Sequence, residues 1–112
     1  MRTERNRVAV LGLDGLPMSL ARTLCQAGKL PNLASIALSQ NARAIRAELP
    51  ELSPVNWASF VTGKNPGGHG VFGFSAMDPA TYSLSLVDSS AIKAPTIFER
   101  LGEAGLSSQG VN

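Results

Sequence analysis

Apolar positions along this chain change period several times, and each change marks an element. Val8 to Leu13, VAVLGL, is an unbroken apolar run closed by Asp14-Gly15. A short β-branched and aliphatic run ended by turn residues predicts a strand buried on both faces of a parallel sheet. Pro17 then opens a helix with Leu20, Ala21, Leu24 and Cys25 on one face and Gly28 at its end. A second helix starts at Leu30-Pro31-Asn32, with Leu33, Ile36 and Ala37 inward. Ala42 to Leu49 predicts a weaker strand, its small residues interrupted by Arg43 and Arg46.

The stretch from Leu52 to Gly73, LSPVNWASFVTGKNPGGHGVFG, carries the next signals. Ser53-Pro54 predicts a helix start, the serine as N-cap and the proline at the first helical position. Trp57, Phe60 and Val61 form its inward face, core rather than a ligand box, and Gly63 closes it. Asn65, Pro66, Gly67 and Gly68 predict an irregular loop. Thr81 to Val87, TYSLSLV, alternates as a half-exposed strand does. Ala94-Pro95 begins a last helix, with Ile97, Phe98 and Leu101 inward and Gly105 as C-cap. Ser107 to Asn112 reads as the start of another strand. Such an order predicts an α/β fold: a mostly parallel sheet with helices on both faces, incomplete at the C-terminus. The expected organisation is the N-terminal portion of one domain over residues 1–112, with residues 1–6 as a flexible tail.

Composition narrows the partners. A net charge of +2 and 5% aromatic residues give no basic surface interleaved with aromatics, so nucleic acid is not an expected partner. A single cysteine, Cys25, forms no intrachain disulfide and gives no support for an oxidising compartment. Its place in an apolar helical pattern predicts a small buried side chain. No window approaches the roughly 20 apolar residues that span a bilayer, and no signal-peptide core follows the N-terminus. The expected setting is cytoplasmic, away from membranes.

In a parallel α/β sheet, ligands bind beyond the carboxyl ends of the strands. Asp14 ends the first predicted strand and Ser53 starts the helix after the second, so both are expected at one sheet edge. A carboxylate and a hydroxyl meeting there suit a divalent cation, which lowers the hydroxyl pKa and creates a nucleophile. Each residue also has a purely structural reading. Asp14 can cap its own Asp-Gly turn, and Ser53 can be a plain helix cap. His69, the one histidine, suits a loop-ordering hydrogen bond better than metal ligation. Lys64 in GKNPGGHG lacks the spacing of a phosphate-cradling P-loop.

Four segments taken together, VAVLGLDGLP, GKLPNLASIA, LPELSPVNWASFVTGKNPGGHGVFGF and KAPTIFERLGEAG, resemble the alkaline phosphatase superfamily. The resemblance is greatest to its type I phosphodiesterase and nucleotide pyrophosphatase branch, and W-x-S-F-x-T-G-K-N-P-G-x-H-G is its strongest part. It implies an alkaline-phosphatase-like fold, two divalent metal ions, usually zinc, and a phosphoester or nucleotide-like substrate. Asp14 would ligate a metal. Ser53 would be the nucleophile and also touch a metal, passing through a phosphoseryl intermediate that water hydrolyses. Asn56 matches an asparagine present in many relatives, without a role attached to it, and His69 matches a structural histidine.

The family's remaining ligands lie later in the chain, and Asp78, Asp88, Glu99, Glu103 and His69 do not match them. These 112 residues alone are therefore expected to be inactive and to bind metal incompletely. The alternatives are a non-catalytic α/β remnant, or a phosphomonoesterase, sulfatase or phosphate-transferring mutase branch. Ser53-Pro54-Val55-Asn56-Trp57 lacks the C/S-x-P-x-R pattern of sulfatases. An uncovered sheet edge predicts self-association.

Overall fold

The computed structural model describes residues 7–111. Residues 1–6, predicted as a tail, lie outside that range. The chain divides into two compact units, the first reaching to Ile45 and the second starting at Arg46.

In the first unit, helices α1 (Met18–Gln26) and α2 (Pro31–Ala37) pack on each other. Pro17 is the N-cap of α1, in extended conformation, and its carbonyl accepts the Ala21 N–H at 3.0 Å. After α1, the Gly28 N–H bonds the Cys25 carbonyl and the Lys29 N–H bonds the Leu24 carbonyl. This paired closure needs a left-handed residue, which Gly28 supplies at φ 71°. Ala21, Cys25 and Ala37 are buried, as the pattern predicts. Leu20 and Ile36, predicted inward, are exposed instead. The buried positions of the two helices are thus small residues, while Leu24 and Leu33 are half-buried.

Residues 8–13 form no strand. Val8 is 87% exposed, and among the described residues no neighbouring strand pairs with the run. Residues 42–49 likewise carry no ladder. A strand is defined by its partner's hydrogen bonds, and apolar composition cannot supply them.

The second unit holds α3 (Ser53–Thr62), α4 (Pro66–His69), β1 (Ser75–Met77), β2 (Leu84–Leu86) and α5 (Ile97–Glu103). The sheet among the described residues is the antiparallel pair β1–β2, with Ala76 opposite Ser85. The predicted parallel sheet is thus not formed among them. What is present is a mixture of helices and one small hairpin, compatible with a piece of an α/β domain. Strand β2 falls inside the predicted 81–87 segment, whereas β1 was not predicted. Asp78 shapes the turn between them, its Oδ1 accepting the Ala80 N–H at 2.8 Å.

Helix α3 packs on α4 and α5. Its buried face is Val55, Ala58 and Thr62, not the predicted Trp57, Phe60 and Val61. Trp57 and Phe60 stack edge to face at 5.9 Å, yet remain 38% and 58% exposed. Helix α5 is held by a capping box. Thr96 Oγ1 accepts the Glu99 N–H, and the Glu99 carboxylate accepts the Thr96 N–H at 2.6 Å. The predicted inward residues Ile97 and Phe98 are partly exposed on it.

Candidate active site

Ser53 is the first residue of α3, one position later than predicted. The i to i−4 ladder begins at Leu52, whose carbonyl accepts the Asn56 N–H at 3.0 Å, so Leu52 is the N-cap. A leucine offers no side-chain oxygen for that position, and Leu52 makes no side-chain cap bond. Pro54 follows as the second helical residue, where its missing N–H costs nothing. Ser53 thus stands half-buried at the positive end of a ten-residue helix.

The approach to this serine is held by one side chain. Asn56 Oδ1 accepts the Glu48 N–H at 3.0 Å, and Asn56 Nδ2 donates to the Leu52 carbonyl at 3.1 Å. Between those anchors the Leu49–Pro50 bond is cis, and the Leu52 N–H bonds the Pro50 carbonyl at 2.7 Å.

Beyond α3, the GKNPGGHG run folds onto itself. Asn65 Oδ1 accepts the Gly68 N–H at 3.1 Å, capping the single turn α4 where an irregular loop was predicted. A Cβ on Gly68 would come within 3.1 Å of Lys64 Cβ, a tight approach to which the lysine would have to yield.

His69 is fully buried. Its Nδ1 accepts the Val71 N–H at 3.1 Å, so the ring's hydrogen sits on Nε2, directed at Ser59 Oγ 3.0 Å away. Its carbonyl accepts the Lys93 N–H at 2.9 Å. Burial lowers the imidazole pKa from its usual 6.5, with the Glu48 charge opposing. A serine beside a histidine is the layout of a nucleophile and its base. Here Nε2 carries the proton and the ring is closed to solvent, so the pair orders a loop, as the sequence predicts for His69.

Asp14 lies in the first unit, in the turn closed by Gly15 at φ 69°. Ser53 belongs to the second unit. Among the described residues no three His, Cys, Asp or Glu side chains gather as a metal-binding group. The downstream carboxylates have local duties. Asp78 is held below its usual pKa chiefly by the Ala80 N–H, Asp88 by the Ser90 hydroxyl and N–H, and Glu99 by the Thr96 N–H and hydroxyl. Two proposed protein donors fall short of the three that a catalytic zinc normally takes. The described residues therefore do not make up a complete metal centre.

Sequence reading missed the Asn56 clasp and the Ser59–His69 pair, since contacts across eight and ten positions leave no periodic trace. The Thr96-x-x-Glu99 box was visible in the sequence and passed over for Ala94-Pro95.

A helix-start serine ahead of a capped glycine turn is what remains once the structural histidine and the turn carboxylates are set aside. The type I phosphodiesterase / nucleotide pyrophosphatase family matches this chain over residues 8–112. The chain belongs to that family. No solved structure gives a significant match to it.

Proposed function

We propose that the chain carries the nucleophile of a phosphoester hydrolase and that Ser53 is that nucleophile. The family match over residues 8–112 supports the reaction class. The one observation that carries the residue assignment is the place of Ser53 at the first position of α3, where the helix dipole favours an approaching phosphoryl anion. In the reaction, a bond forms between Ser53 Oγ and phosphorus while the bond from phosphorus to the leaving oxygen breaks. The serine proton passes to solvent, or to the leaving oxygen when that oxygen is basic. Water then cleaves the phosphoserine bond.

Asp14 is proposed as an oxygen donor to a divalent cation, zinc being the family's usual ion, with Ser53 at the same centre. The described residues do not complete that ion's coordination. In the same reading, residues 8–13 pair as a strand of an alkaline-phosphatase-like parallel sheet in the complete domain. Phosphodiester or nucleotide-like molecules are the substrate class, and the 112 residues alone perform at most one round of attack.

The test is to incubate the chain with zinc and excess bis(p-nitrophenyl) phosphate and follow intact mass and released p-nitrophenolate. The expected result is a p-nitrophenyl phosphoryl group on the Ser53 peptide, lost in Ser53→Ala, without sustained turnover. No adduct, or an adduct elsewhere, removes Ser53 from the role. Repeated Ser53-dependent turnover would instead show that the chain is active by itself.

A further inference from the structure

We propose that Asn56 is a positioning residue for Ser53, acting through the clasp it makes across the chain entering α3. This role rests on Ser53 being the nucleophile. The side-chain amide uses both of its ends: Oδ1 on the Glu48 N–H at 3.0 Å, Nδ2 on the Leu52 carbonyl at 3.1 Å. The Leu52 carbonyl also takes the Asn56 backbone N–H at 3.0 Å.

That carbonyl belongs to the peptide unit that contains Ser53 N and Cα, and a peptide unit is planar. Two donors on one oxygen fix the tilt of the plane, and with it the direction in which the Ser53 Cα–Cβ bond leaves the helix. The Glu48 contact ties the incoming chain to the same side chain, four residues ahead of Leu52. The amide does both, whereas a carboxylate has no donor for Leu52, and a leucine of similar size has neither group. Asn56 reaches the reacting atoms only through this peptide unit. Its effect is on orientation, where a misplacement of about 1 Å costs on the order of a hundredfold in rate.

Two measurements on the full chain test the role. The first is amide exchange of Glu48, in the unmutated protein and in Asn56→Ala. Protection of Glu48 in the former and its loss in the latter, with α3 still protected, establishes the clasp. An unprotected Glu48 amide in the unmutated protein overturns it without any variant having to fold. The second is the rate at which bis(p-nitrophenyl) phosphate marks Ser53. Asn56→Ala is expected to lower the maximal rate about tenfold or more, leaving the half-saturating concentration unchanged. A merely structural asparagine would change the melting temperature and leave the rate per folded molecule as it was. That outcome overturns the proposal while Ser53 keeps its role. If the unmutated chain gains no mark, the nucleophile reading fails and the positioning role fails with it, even if Glu48 is protected.

Discussion

His69 Nε2 and Ser59 Oγ lie 3.0 Å apart, one turn of α3 tied to the glycine-rich loop that follows it. The other ring nitrogen accepts the Val71 N–H, so both nitrogens are committed only while the ring is neutral. A protonated ring would set a second N–H against that of Val71.

This arrangement predicts how stability depends on pH. Burial lowers the folded-state pKa of His69 below 6.5, so between the two values the unfolded chain binds more protons. Stability is full above about pH 6.5, declines as pH falls through the window beneath it, and levels off once the folded ring also protonates. Urea unfolding between pH 8 and pH 5 should show that decline, and His69→Gln should flatten it while lowering stability throughout. Asp78, Asp88 and Glu99, also held below their usual values, act in a separate and more acid window. A urea midpoint independent of pH from 8 to 5 in the unmutated chain would contradict the neutral buried ring.

Gly70 is the second test of the same loop. It sits at φ 79°, and a Cβ there would lie 2.9 Å from Lys93 Cδ. The lysine stem can move aside, so the dominant cost of Gly70→Ala is the left-handed backbone, about 1–2 kcal/mol. Gly67→Ala, at an ordinary φ and with its nearest contact at 3.4 Å, should be nearly neutral. Denaturant melts of the two variants side by side decide it: equal losses would mean that backbone conformation is not what requires glycine at position 70.

A third expectation concerns association. Leu84 and Leu86 on β2 are 73% and 85% exposed, and among the described residues each strand of the hairpin has one edge without a partner strand. Apolar strands with open edges pair with further copies of themselves. Sedimentation of the chain should report oligomers that grow with concentration, and Leu86→Lys should shift them toward monomer. A concentration-independent monomer would remove this expectation.

Helices were legible in the sequence because their signals are local. Pro17, Pro31 and Pro54 mark the starts, and Gly28, Gly63 and Gly105 mark the ends with positive φ. The faces were legible only where side chains are small. Ala21, Cys25 and Ala37 are inside as predicted, whereas Trp57 and Phe60 have the spacing of a core stripe yet stay substantially exposed. Period shows which residues share a face, and only a neighbour decides whether that face is covered. The strands expected at residues 8–13 and 42–49 are unformed among the described residues for the same reason, since pairing is a property of two segments. Ser53 was found one position off, because a serine before a proline reads as the cap until the Asn56 N–H is seen to reach Leu52.

The ties that hold the second unit also set how it can assemble. The clasp joins residues 48 and 56, the histidine joins 59 and 69, and the same histidine's carbonyl joins 69 and 93. The first two links close loops of 8 and 10 positions, and the longer third one, from 69 to 93, begins where the second ends. The entropy of closing a loop grows with its length, and chains built from such near-neighbour closures fold quickly. Helix α3 can therefore gain its clasp, then its histidine tie, then the segment that leads to α5, without waiting on any distant part of the chain.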